Sequence, residues 1–133
     1  MKNLNIHIGT TAFLCLILSA CSAGIKQKDL IGRWNYVSYE YPNQPANKPL
    51  ANISAQKPYI VFGGDAQCKI VSSGKILSEG SYYLDKHIIR YTEDLAGGQK
   101  RPIPFLIKSL TDKELVFQTM DSDVKVITAS KAN

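Results

Sequence analysis

Beyond its N-terminal segment, no stretch of this chain has a helical period long enough to cross between parallel strands. It carries instead short runs of β-type residues, parted by turn residues at fairly even spacing. The runs are 30–41, 59–62, 67–72, 76–84, 87–92, 103–110, 115–120 and 124–129. Gly63-Gly64-Asp65, Ser73-Gly74, Asp85-Lys86, Thr111-Asp112-Lys113 and Asp121-Ser122-Asp123 separate them as turns. Antiparallel pairing of successive runs is the simple topology. Eight strands can then close, which removes the exposed edges of an open sheet. The sequence thus predicts an all-β protein, an eight-stranded antiparallel up-and-down barrel.

Two connections are longer than hairpins. Residues 42–57 hold Pro42, Pro45 and Pro49 without apolar periodicity, and residues 93–102 hold Gly97-Gly98 and end in Lys100-Arg101-Pro102. These two loops are expected to flank the mouth of the barrel, with Glu93-Asp94 as a solvated loop end. In the first run, alternation sets Trp34, Tyr36 and Ser38 on one face and Asn35, Val37 and Tyr39 on the other.

The start of the chain has the parts of an export signal. Lys2 supplies positive charge, and residues 8–18 are uncharged with Phe13, Leu14, Leu16 and Ile17 at their centre. That run is too short for a bilayer core, which takes roughly 20 residues. Leu18-Ser19-Ala20-Cys21 then resembles a lipobox, where bacteria attach lipid to the cysteine and cleave just before it. The resemblance implies a signal peptide over 1–20, a lipidated tether over 21–28 and a β domain over 29–133. The membrane is then a partner, through acyl chains such as palmitate on Cys21. Each buried methylene contributes about 0.8 kcal/mol, so two or three chains hold firmly. In such lipoproteins an aspartate after the cysteine retains the molecule in the inner membrane. Ser22 stands there, which implies the outer membrane of a Gram-negative cell envelope.

Charge and reactive groups exclude several functions. The formal net charge is +5, but no basic run appears, so nucleic acid is not an expected partner. Cys15 leaves with the leader and Cys21 carries lipid, which leaves Cys68 without a disulfide partner. Its apolar-polar surroundings suit a buried thiol better than a nucleophile. Once His7 is removed, any Ser-His-Asp or Cys-His pair must use His87, which stands beside a turn. Zinc wants several His or Cys ligands. Asp121-Ser122-Asp123 lacks the glycine and distal glutamate of a calcium loop. No catalytic residue, metal or cofactor is expected.

At Leu30-Ile31-Gly32-Arg33-Trp34 the chain resembles the lipocalins, whose first strand opens with Gly-x-Trp. Tyr59-Ile60-Val61-Phe62, Glu79-Gly80-Ser81-Tyr82 and residues 107–115 extend the likeness to bacterial lipocalin-like domains. Gly32 would let the chain enter the wall closely, and Trp34 would plug one end. In lipocalins an arginine of the final strand lies across that tryptophan; here the final strand offers Lys125. The resemblance implies binding of a small hydrophobic or amphiphilic ligand. Trp34, Tyr36, Phe62, Tyr82 and Phe105 are the candidate ligand-binding residues. They either line a pocket or fill a narrow barrel, since an eight-stranded interior permits both. The other reading is a protein-interaction module, an inhibitor or envelope assembly factor. Its contact would be the loop with Asn43, Gln44, Asn47 and Lys48, and its partner is not named by the sequence.

Overall fold

The computed structural model describes residues 24–43 and 52–133. Cys21 lies outside the described residues, as do Gln44, Asn47 and Lys48. The strands are β1 (Gly32–Glu40), β2 (Tyr59–Phe62), β3 (Gln67–Ser72), β4 (Lys75–Asp85), β5 (Ile88–Asp94), β6 (Lys100–Leu110), β7 (Glu114–Thr119) and β8 (Val126–Lys131). Each pairs antiparallel with its neighbours in sequence, and β8 returns to pair with β1, so the sheet closes as an eight-stranded lipocalin-like barrel.

Up-and-down order sorts the connections between two ends. The β2–β3, β4–β5 and β6–β7 turns lie at one end, together with the helical turn α1 (Gln27–Leu30). α1 starts with one half of a capping box, the Asp29 carboxylate accepting from Lys26 N at 3.1 Å, beside a backbone bond from Asp29 N to Lys26 O at 2.9 Å. At the opposite end lie the β3–β4 turn, residues 95–99, residues 120–125 and the β1–β2 connection. That connection includes a second helical turn, α2 (Ile53–Gln56), capped by the Asn52 side chain and tied to the β3–β4 turn by Ser73 N donating to Gln56 O. The described residues of both long connections stand at one end.

Two details depart from simple alternation. A register shift between Tyr36 and Ser38 puts an extra residue in β1. Such a bulge reverses the side-chain parity that follows it. Val37 stays outside, 58 % exposed, while Tyr39, expected outside as well, packs against the core edge-on to Tyr36 with ring centroids 5.6 Å apart.

The second is the start of β6, which begins at Lys100 although Pro102 and Pro104 follow. Ile107 N donates to His87 O, so odd-numbered residues of β6 face β5. The proline nitrogens therefore face the β7 side. There β7 pairs with β6 only from Phe105–Thr119 onward, leaving 100–104 without a β7 partner. Proline is tolerated in a strand at such an unpaired edge.

Candidate binding site

The α1 end is plugged. Trp34 is 0 % exposed and its Nε1 donates to Leu30 O at 2.7 Å. Lys131 Nζ lies 4.5 Å from the centre of the indole ring and donates to Ile31 O at 2.6 Å. The cation across the tryptophan is thus Lys131, not Lys125, because β8 runs on to residue 131. Lys125 precedes β8, and its backbone N–H donates to Thr119 Oγ1 at 2.8 Å. Gly32 has φ +131, and a Cβ there would meet Lys131 Cε at 2.8 Å. Glycine admits both the backbone turn and the lysine. Lys131→Met keeps the stem and removes the ammonium; it should cost about 1 kcal/mol in a urea titration, a modest cation–π loss. No measurable change would mean that the ion is idle.

The five rings singled out in the sequence all point inward. Trp34, Tyr36, Phe62, Tyr82 and Phe105 range from 0 to 7 % exposed and belong to one buried cluster with Leu30, Cys68, Tyr91 and Phe117. Phe62 meets Tyr82 edge-on at 5.0 Å, Phe105 meets Phe117 at 5.3 Å, and Tyr36 meets Phe117 at 6.0 Å. Tyr82 spends its hydroxyl on Gly63 O at 2.8 Å. These contacts are those of a packed core. In the deep half of the barrel the rings act as filling.

Burial also silences the reactive groups. Cys68 is 3 % exposed, and desolvation pushes its thiol up to about 12. His87 is exposed on the β4–β5 turn while Cys68 faces the interior, so the structure does not assemble them as a pair. Among the described residues, no three His, Cys, Asp or Glu side chains are grouped to hold a metal. Burial raises Tyr36 well above the ordinary 10 and lifts Tyr39 and Tyr91 to about 12. The folded chain then keeps protons that the unfolded chain releases from pH 10 upward. This contribution to stability is complete below pH 10 and is lost as pH climbs toward 12. Tyrosinate absorbance should show these phenols ionising late, with the melting temperature falling across that window. Ionisation of every tyrosine near 10 at constant melting temperature would contradict the burial.

The opposite end is built from different chemistry. Glu93, expected as a solvated loop end, is 6 % exposed. It continues the inward series Ile89, Tyr91, Glu93 along β5. Its Oε1 accepts from the Arg101 guanidinium at 2.6 Å, and its Oε2 accepts a short hydrogen bond from Ser78. With Ser78 Oγ donating there, Tyr91 OH donates to Ser78 Oγ at 2.6 Å. Glu93 and Arg101 are register partners, so both face the mouth, but the Arg101 side chain is 60 % exposed. Tyr39, Ile70 and Ile103 are half-buried against the core on this side.

Beside Arg101 a cleft of about 410 Å³ opens where β6 outruns β7. Arg101, Pro102, Ile103 and Pro104 form one wall, and Thr119, Met120 and Asp121 the other. Thr119 fixes the second wall, since its backbone N–H donates to Lys125 O at 3.0 Å while its hydroxyl accepts from Lys125 N. Sequence reasoning missed Ser78, Glu93 and Arg101. The period of Ile89, Tyr91 and Glu93 is a usable signal, masked in the sequence by the acidic pair Glu93-Asp94.

The fold and site define an all-β barrel with one end plugged and the other lined by polar and half-buried apolar groups. No protein-family model matches the chain, and no curated protein matches it.

Proposed function

We propose that this protein is a lipid-anchored lipocalin-like barrel of the bacterial cell envelope that binds one small amphiphile at its open end. The observation that carries the reading is the contrast between the ends. Trp34, Leu30 and Lys131 close one, while the other combines half-buried Tyr39, Ile70 and Ile103 with the Ser78–Glu93–Arg101 cluster. Apolar walls with a few convergent polar groups are the usual form of a small-molecule site. The filled deep half moves the site from the five central rings to the mouth. Acylation of Cys21, with Ser22 after it, would hold the molecule on the outer membrane of a Gram-negative host. Because α1 joins at the plugged end, a tether from Cys21 would direct the mouth away from its own bilayer.

Native protein taken from membranes tests this by solvent extraction and mass spectrometry. One class of amphiphile, near one molecule per chain, is the expected outcome. An extract no richer than that of an unrelated lipoprotein prepared in parallel would sink the reading. Intact mass should also place the acyl chains on Cys21 and show none after Cys21→Ser.

A second reading has one observation in its favour. Ile76, Leu77, Leu95 and Met120 are 55, 66, 36 and 47 % exposed, all on connections or strand ends at the open end. Such a rim suits a protein-interaction module. A photoreactive residue at Leu77 should then capture one specific protein in intact cells; capture of none removes this alternative.

A further inference from the structure

We infer that the notch between β6 and the β7–β8 connection is the amphiphile's seat, and that it takes a neutral, hydroxyl-bearing head of the acylglycerol type. This rests on the open-end binding proposed above and adds a position and a head-group chemistry to it.

The position follows from the strand lengths. β6 rises to Lys100, whereas β7 ends at Thr119 and β8 begins only at Val126, so the wall is missing a neighbour beside 100–104. An added strand would normally be drawn to such an edge. Pro102 and Pro104 prevent that, because the nitrogens facing the gap carry no hydrogen. The gap stays open to something that does not need backbone pairing. Ile103, Pro104 and Met120 give it apolar surface, and its volume of about 410 Å³ falls in the usual range of about 300–1,000 Å³ for ligand sites. Deeper along the barrel axis Tyr91 stacks on Phe105, ring centroids 6.1 Å apart, both within the buried cluster.

The head group follows from charge. Arg101 alone would favour an anion, but buried Glu93 already neutralises it at 2.6 Å. The guanidinium has five N–H donors in a rigid fork, and those not used by Glu93 remain available toward the cleft. Asp121 is the other ionic group on the cleft wall, and it is exposed. Of the groups that line the cleft itself, Arg101 and Asp121 are one cation and one anion, so the lining has no net charge. A carboxylate head would meet donors from Arg101 and repulsion from Asp121, and an ammonium head would meet the reverse, with no acceptor on Arg101. A hydroxylated neutral head satisfies both, accepting from Arg101 and donating to Asp121.

Three pyrene-labelled probes with one tail test the assignment: a monoacylglycerol, the matching fatty acid and the matching alkylammonium. Each is titrated into the full-length protein held in a non-ionic amphipol. The monoacylglycerol should bind about tenfold more tightly than the other two, the scale of one lost or opposed hydrogen bond. Arg101→Met should weaken it by about tenfold, and Asp121→Asn should raise fatty-acid affinity several-fold. Arg101→Met leaves Glu93 with less support, so Met120→Glu serves as the variant that cannot disturb the core. It puts a charge where the tail lies and should weaken the monoacylglycerol by at least tenfold.

Equal or tighter binding of the fatty acid or alkylammonium overturns the neutral head. Tight monoacylglycerol binding that ignores both Arg101→Met and Met120→Glu overturns the notch, and leaves the mouth reading intact. Binding of no probe overturns the inference and the reading together.

Discussion

Trp34→Ala should destabilise the barrel by about 3–5 kcal/mol, the cost of deleting a fully buried large aromatic side chain. The residue is 0 % exposed, and three separate features depend on its ring. Its Nε1 holds Leu30 O, its face receives Lys131, and its body closes the end beneath Leu30. Domains of this size hold only about 5–15 kcal/mol in all. The variant should therefore melt far below the parent and be partly unfolded in mild urea. Trp34→Phe keeps most of the volume but not the hydrogen bond, and should cost clearly less. Hydrogen exchange would locate the damage, since amides of α1 should open first. A cost for Trp34→Ala below about 1 kcal/mol would mean that the plug is not part of the core.

Gly80→Ala should cost about 3 kcal/mol, the upper range for an overpacked methyl. Gly80 stands opposite Cys68 on β3 and Glu93 on β5. A Cβ there would lie far inside contact distance of the Thr92 carbonyl oxygen and 3.1 Å from Glu93 Cα. Both obstacles are backbone, so no rotamer change relieves them. β4 and β5 would have to separate at the level that carries Glu93. The variant should lose amphiphile binding even under conditions where circular dichroism shows it folded. Unchanged stability and binding would show that the strands are looser here than their registers imply.

These effects bear on how much could be read without coordinates. All eight strand centres were legible, since alternation and turn residues are local signals. The errors fell where neighbours decide. Tyr39 turns inward because the pairing of β1 with β8 inserts a bulge between Tyr36 and Ser38, and nothing in Tyr36-Val37-Ser38 announces it. The expected run begins at Ile103 and leaves Lys100-Arg101-Pro102 to the loop; β6 extends back to Lys100, and the shortness of β7 makes Pro102 and Pro104 acceptable there. Lys131 was overlooked because the Thr128-Ala129-Ser130 run carries no apolar pattern to extend β8. The mouth cluster needed three strands to assemble, with Ser78 on β4, Glu93 on β5 and Arg101 on β6. Whether the central rings line or fill depends on summed side-chain volumes in three dimensions, which spacing along one chain does not contain. The lipobox-like stretch Leu18-Ser19-Ala20-Cys21 lies outside the described residues and is to be judged by the acylation measurement.

The central claim is that the barrel is filled in its deep half and receives its ligand at the open end. Titrating a monoacylglycerol into nitrogen-labelled protein and mapping the amide shifts tests this most directly. The account predicts shifts at Glu93, Arg101, Ile103, Thr119, Met120 and Asp121, with little at Trp34, Phe62 and Tyr82. Shifts centred on those three deep residues would contradict it, because they would require a cavity where the structure places packed rings.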